Sequence, residues 1–200
     1  MTALRFLAAA LVLAGHAAFA NEAGDLVFAD RGPWQPETNH YVWRLDVAGP
    51  VQEGFMPITD GRIEVVAATD GDKPAVQLHE TGGALDRKIG PFPVDGNDPA
   101  LIFFLETTSR EMAKLTGGSP FYIQNRMKDA LFRGGEVQQT DKGRVAVFRP
   151  FADDSNKAKM AGFDTLEITF TIEDPKMPIP SMIAATPGEK PGFRVSMVQQ

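Results

Sequence analysis

One stretch near the middle of the chain cannot be sheet, and it constrains everything on either side of it. Asp98-Pro99 joins a side chain that can accept from an orphan amide to a proline at the one helical position where the missing N–H costs nothing. From there Leu101, Phe104, Leu105, Met112 and Leu115 fall within about a third of the helical circumference at about 100° per residue. Glu106 and Arg110 are spaced as a favourable i,i+4 pair on the other side. Gly117-Gly118 supplies a left-handed C-cap, and Ser119-Pro120 at once opens a second helix. Its apolar stripe is Ile123, Met127, Ala130 and Leu131, and Gly134-Gly135 ends it. The chain therefore carries two consecutive helices across a two-glycine hinge.

Both flanks read as strands. Tyr41, Trp43, Leu45 and Val47 alternate with Val42, Arg44, Asp46 and Ala48, and the same period recurs in Ile63, Val65 and Ala67 and in Val76 and Leu78. Asp60-Gly61 and the segment Asp70-Gly71-Asp72-Lys73-Pro74 read as the turns between them. From Asp25 to about Phe92 this predicts an antiparallel meander of four or five strands. After the helices, Val137 to Thr140 and Arg144 to Phe148 flank Asp141-Lys142-Gly143 as a hairpin. Asp153 to Met160 reads as one or two helical turns. The clearest strand sets Leu166, Ile168, Phe170 and Ile172 against Glu167, Thr169, Thr171 and Glu173. Pro175, Pro178, Pro180, Pro187 and Pro191 then point to loops and edge strands from Asp174 to Gly192, with Phe193, Val195 and Met197 as a last edge. The fold class is α+β: an antiparallel sheet, a meander able to curve, packed against the central helical pair.

The N-terminus supplies an address. Arg5 precedes an apolar run from Phe6 to Leu13, and Ala18-Phe19-Ala20 places small residues where a signal peptidase reads. Residues 1–20 are expected to be a secretory signal peptide and residues 21–200 a single periplasmic domain. His16 follows Leu13-Ala14-Gly15 where a lipoprotein would carry cysteine, so no lipid anchor is expected. Beyond Ala20 the longest apolar run, Ala100 to Leu105, is far short of the roughly twenty residues that cross a bilayer, so no transmembrane segment is expected in the mature chain. The chain has no cysteine, which excludes disulfides, thiolate metal sites and thiol nucleophiles and leaves burial to hold the fold. With 20 Lys+Arg against 26 Asp+Glu the net charge is −6, which disfavours nucleic acid as a partner.

No catalytic constellation emerges. His40 and His79 lie on different predicted strands or strand ends without a neighbour at metal spacing, so neither a metal nor another cofactor is expected. Ser119 lacks the Gly-x-Ser-x-Gly elbow and is needed as a cap. The pairs Asp70/Asp72, Asp95/Asp98 and Asp153/Asp154 do not fit a calcium loop and read as turn formers. Free amides at Gly117, Gly118 and Ser119 could hold an anion, although capping explains the same residues. Tyr122, Asn125, Arg126, Asp129 and Arg133 share the helical face opposite the apolar stripe and form a candidate docking surface. Trp43 reads as core, and Trp34, between Pro33 and Gln35-Pro36, as the cover of a sheet edge or groove.

The block Asn97-Asp98-Pro99 through Phe104-Leu105-Glu106, then Met112-Ala113 and Leu115 to Ile123 with Asn125-Arg126 and Ala130-Leu131, resembles a recurrent core of exported proteins in Gram-negative bacteria. Arg149-Pro150-Phe151 with Asp153-Asp154 and Asn156 resembles a second signature of that group. The resemblance covers most of the mature chain and carries no activity and no catalytic residues. In outline the chain is also similar to periplasmic half-barrel carriers that hold acyl chains against a curved sheet. Three functions follow as expectations. The first is an accessory protein binding another envelope protein. The second is a carrier of an apolar ligand, with Phe103, Phe104, Met112, Phe121 and Met127 lining its cavity, and the third is an envelope hydrolase using paired carboxylates.

Overall fold

A computed structural model describes residues 22–188 and 192–200, so the leader read over residues 1–20 lies outside the described residues. The elements are α1 (Glu22–Val27), β1 (Val42–Ala48), β2 (Ile58–Asp70), β3 (Lys73–Gly82), β4 (Leu85–Pro93), α2 (Pro99–Thr116), α3 (Pro120–Arg133), β5 (Glu136–Thr140), β6 (Gly143–Phe148), β7 (Glu167–Ile172), β8 (Ser181–Ala185) and β9 (Arg194–Gln199). The strands form one antiparallel sheet in the order β4-β3-β2-β1-β9-β8-β7-β6-β5. It is two meanders, β1 to β4 and β5 to β9, joined where β1 pairs with β9. The fold is α+β as expected, with the helices on one face of the sheet.

Cross-strand register explains why that face is apolar. Val47, Val195, Ala184, Ile168 and Phe148 lie opposite one another in one row, and Leu45, Met197, Met182, Phe170 and Ala146 in the next. All ten side chains are buried. The opposite face is solvated, with Arg44 paired to Asp46 at 3.0 Å and Arg62 to Glu64 at 3.2 Å. Helix α2 covers the apolar rows, and Phe104 meets Phe170 edge to face with ring centroids 5.9 Å apart. Helix α3 packs outside α2 and against α1, where Phe132 stacks on Phe28 at 4.7 Å. All five residues of the first predicted stripe are buried, as are Ile123, Met127 and Leu131 of the second, while Ala130 is half-buried.

The helix ends follow the expected chemistry. Asp98 Oδ1 accepts from the amides of Ala100 at 2.9 Å and Leu101 at 3.2 Å, and Pro99 opens α2. Gly117 closes it with φ 66°, a conformation that penalises any side chain. Ser119 Oγ accepts from the Tyr122 amide at 3.4 Å. Glu106 and Arg110 form the anticipated pair. Gly135 is required by space, because a Cβ there would lie 2.6 Å from the Phe148 ring.

Three expectations need correction. Val195 and Met197 belong to β9, which Phe193 immediately precedes, and β9 is the central strand rather than an edge. Pro175, Pro178, Pro180 and Pro187, which suggested an edge, fall in the loops around β8, while Pro191 lies outside the described residues; the ladder between β8 and β9 loses no amide. The edges are β4, which carries Lys88, Pro91 and Pro93, and the short polar β5, and both are poor templates for a further strand. Asp60-Gly61 does not turn between strands but lies inside β2, where Asp60 has φ 53° and the register shifts against β1 in a bulge. Residues 25–27, read from the sequence as the start of the strands and turns, belong instead to the helix α1. Their helix is too short for a periodic signal and is held by the buried Arg31 guanidinium, which donates to the carbonyls of Leu26, Val27 and Ala29, each at 2.8 Å.

The central position of β9 predicts opposite effects at two neighbours. Met197→Ala should destabilise the fold by about 2–5 kcal/mol through transfer and cavity terms. Val198→Ala, on the solvated face, should stay within about 0.5 kcal/mol. Urea unfolding of both variants checks this; an inexpensive Met197→Ala would be the behaviour of an edge.

Candidate functional site

The two regions that the sequence marks separately, the polar face of α3 and the segment from Arg149, come together in space. Tyr122, Arg126, Asp129 and Arg133 are spaced at i, i+4, i+7 and i+11 and therefore share one side of α3. The segment from residue 149 to 160 folds over that side, anchored by the wholly buried Phe151 and by Met160. It turns through bonds from the Asp154 amide to the Phe151 carbonyl at 3.0 Å and from the Lys157 amide to the Asp154 carbonyl at 3.2 Å. A single 3-10 turn, Lys157–Lys159, stands where one or two helical turns were predicted.

Asp154 is the centre of the arrangement. Its side chain is 1% exposed. Oδ1 accepts from the Asn156 amide at 2.7 Å, and the Tyr122 hydroxyl lies 2.9 Å from Oδ1 and 2.8 Å from Oδ2. Arg126 Nε donates to Oδ2 at 2.8 Å, and Asn156 Nδ2 donates to the Tyr122 oxygen at 3.0 Å. Desolvation alone would push the Asp154 carboxyl up. The bonds from the Asn156 amide, Tyr122 and Arg126, with the charge of Arg126, outweigh it and hold the carboxyl below its ordinary value.

Tyr122 and Arg126, which the sequence directs to solvent, are therefore turned onto Asp154. Asn125 remains exposed, Asp129 lies 3.5 Å from Arg133 and 3.9 Å from Arg126, and the Arg133 side chain is 79% exposed. Two hollows flank the cluster. One, about 420 Å³, is floored by Met112, Ile123 and Met160 and rimmed by Ser119, Asn156 and Lys159. The other, about 250 Å³, is lined by Arg126, Arg133, Arg149, Asp129 and Asp153. Arg149 is braced by Glu136 at 2.9 Å and Glu167 at 3.3 Å.

The remaining candidates are dispersed. At the helix junction the Gly118 amide donates to Thr116 Oγ1 at 3.1 Å and the Tyr122 amide to Ser119, so these donors already have partners. His79 Nε2 meets Asp86 at 2.8 Å on the solvated face. Among the described residues no group of three metal-ligating side chains converges, and no helix is long and apolar enough to cross a membrane. Asp98 is a buried cap whose Oδ2 has no hydrogen bond; burial pushes its carboxyl up, opposed by Arg31 and by the Leu101 and Ala100 amides. Trp43 is core and donates from Nε1 to the Ile179 carbonyl at 2.9 Å, while Trp34 is buried against Tyr41 beside the ends of β2, β3 and β4.

The five residues expected to line an apolar cavity do not surround one void. Phe103, Phe104, Met112 and Met127 are buried in the packed core, and Phe121 is 72% exposed. A cleft of about 480 Å³ lies elsewhere, between α2 and the ends of β2, β3 and β4, lined by Met56, Ile58, Leu85, Glu80, Glu111 and Lys114 among others. Its two carboxylates each carry a cation, Glu80 with Arg87 at 2.5 Å and Glu111 with Lys114 at 2.7 Å. It is thus walled by ion pairs rather than by a free acid facing a free base. Compared with known protein families and with curated proteins, the chain matches none.

Depression of the Asp154 carboxyl fixes the sign of a pH effect. The stability it contributes is present in full above the unfolded carboxylate value, about 4, and is lost as pH falls through the lower folded value. Asp154→Asn should cost about 2 kcal/mol at neutral pH. The difference from the parent should be flat above about pH 5 and shrink below about pH 4, as read by denaturant titrations across pH.

Proposed function

We propose that this chain is an exported, non-catalytic binding protein of the cell envelope that docks another envelope protein on the α3 face. The observation carrying this reading is the locking of α3 to the 149–160 segment through Asp154, with two hollows left open beside the lock. Tyr122, Arg126 and the Asn156 amide saturate the carboxylate, so it is engaged as a brace rather than poised as a base. Rigid side chains next to open hollows lower the ordering cost of association. The leader motif supports export, and the resemblance to exported proteins points the same way.

Photocrosslinking in living cells tests the surface. A benzophenone side chain at Asn125 should give one discrete adduct that Arg133→Glu abolishes, whereas the same group at Arg62 on the solvated face of the sheet should give none. The mature chain should fractionate with the periplasm and begin at Asn21. Absence of any adduct at Asn125, or equal adducts at both positions, would remove this face from consideration.

The cleft beside α2 favours a second reading, carriage of an apolar ligand between sheet and helix. Met56, Ile58 and Leu85 give it an apolar wall. Native mass spectrometry after gentle purification should then show a bound mass, and Leu85→Trp should displace it by filling the cleft. A clean apo mass with no saturable uptake of a fluorescent fatty acid would end this reading.

A further inference from the structure

The hollow at the junction of α2 and α3 joins an apolar floor to a rim whose free polar groups are mostly donors. Met112 of α2, Ile123 of α3 and Met160 at the end of the 149–160 segment make the floor, and all three are buried residues. Methionine is flexible and polarizable, so a floor with two of them adapts to an aliphatic chain or a ring. Its volume of about 420 Å³ is near the small end of ligand pockets, which run from about 300 to about 1,000 Å³. A short amphiphile fits that space better than a two-chain lipid does.

The hydrogen-bond inventory of the rim selects the head group. Thr116 Oγ1 is saturated, since it donates to the Met112 carbonyl at 2.9 Å and accepts from the Gly118 amide at 3.1 Å. The Tyr122 hydroxyl is engaged by Asp154 and by Asn156 Nδ2. Ser119 Oγ accepts from the Tyr122 amide at 3.4 Å, and its own proton has no acceptor among the described residues. Lys159 is exposed, and among the described residues its ammonium has neither ion pair nor hydrogen bond. In this it differs from Arg126, Arg133 and Arg149 of the second hollow, which are all paired.

Lys159 is also the one charged side chain among the described residues that line the hollow; Asp154 does not line it and is saturated. An ammonium with three donors beside a free hydroxyl calls for an acceptor that carries negative charge. A cationic head would meet Lys159 and find no carboxylate. The free acceptor of the rim, Asn156 Oδ1, belongs to an exposed residue and stays hydrated.

We infer that this hollow binds a small amphipathic monoanion, an aliphatic or aromatic acid. Its apolar body lies on Met112, Ile123 and Met160, and its charged oxygens accept from the Ser119 hydroxyl and the Lys159 ammonium. The site is separate from the cleft beside α2 and does not depend on the docking function proposed above.

The probe is octanoate below its micelle threshold, followed by ¹H–¹³C spectra of protein labelled at the methionine methyls and by amide shifts. The Met112 and Met160 methyls and the Ser119 and Lys159 amides should shift saturably, while Met56, in the cleft beside α2, should stay in place. Octanol and octylammonium keep the chain but lose the negative charge, and should bind about tenfold more weakly or worse. Lys159→Gln should weaken octanoate by about threefold or more and leave the rest of the spectrum unchanged, since the side chain is exposed and unpaired. The inference is overturned by the absence of saturable shifts at millimolar octanoate, by equal affinity for octanol, by unchanged affinity of Lys159→Gln, or by acetate alone reproducing the pattern. A response at Met56 without one at Met112 and Met160 also overturns it, and assigns the amphiphile to the cleft beside α2 instead.

Discussion

The pairing of β1 with β9 runs from Trp43 opposite Gln199 to Ala48 opposite Arg194, and among the described residues it is the ladder that joins the two meanders. Each half alone would expose a long unpaired strand, and Val47 and Leu45 of β1 would be cut off from the four residues that continue each row in β6 to β9. Joined, the rows run unbroken from Val47 to Phe148 and from Leu45 to Ala146 and bury together under α2. The same pairing places β4 and β5 at opposite edges. The connection between those edges must then cross the sheet, and it does so as α2 and α3. Helices that are locally well specified thus acquire their place from a contact between strands near the two ends of the described chain.

That arrangement leaves one face of α3 turned away from the sheet, and the segment after β6 folds onto it. Placing a carboxylate there is costly unless donors replace the water it loses. Tyr122, Arg126 and the Asn156 amide replace it, so Asp154 becomes the brace that fixes the angle of the 149–160 segment on the helix. The hollows flank the bonds that tie this segment to Tyr122 and Arg126 of α3. Their shape is a consequence of the brace, and their contrast in polarity follows from which residues border them: Met112, Ile123 and Met160 on one side and three arginines on the other.

Local chemistry carries far in this chain. The starts and ends of α2 and α3 are written in Asp98-Pro99, Gly117, Ser119-Pro120 and Gly134, because a cap satisfies amides within a few residues of itself. The alternation in β1 and β7 is equally plain, since period 2 reports which side of a strand is buried. What such signals cannot convey is the partner on the other side of a ladder. Pro175, Pro178, Pro180 and Pro187 suggest an edge only if they fall within strands, and the fold places them in loops. Helix α1 is too short to show a period and depends on Arg31, and Asp60-Gly61 bends a strand that a local reading breaks.

The candidate site divides along the same line. The spacing of Tyr122, Arg126, Asp129 and Arg133 puts them on one side of a helix whatever the rest of the chain does, because the turn of the helix is a local property. Whether that side faces solvent is not local. Asp154 lies 28 residues from Arg126 and 32 from Tyr122, and its approach requires the β5–β6 hairpin to return the chain to the helix. The sequence alone determined the two helices, their polar face and most of the strands through short-range hydrogen bonding and periodic burial. Only the tertiary structure decided that β9 is central and that Tyr122 and Arg126 hold a buried carboxylate, because long-range pairing and desolvation exist only once distant segments meet.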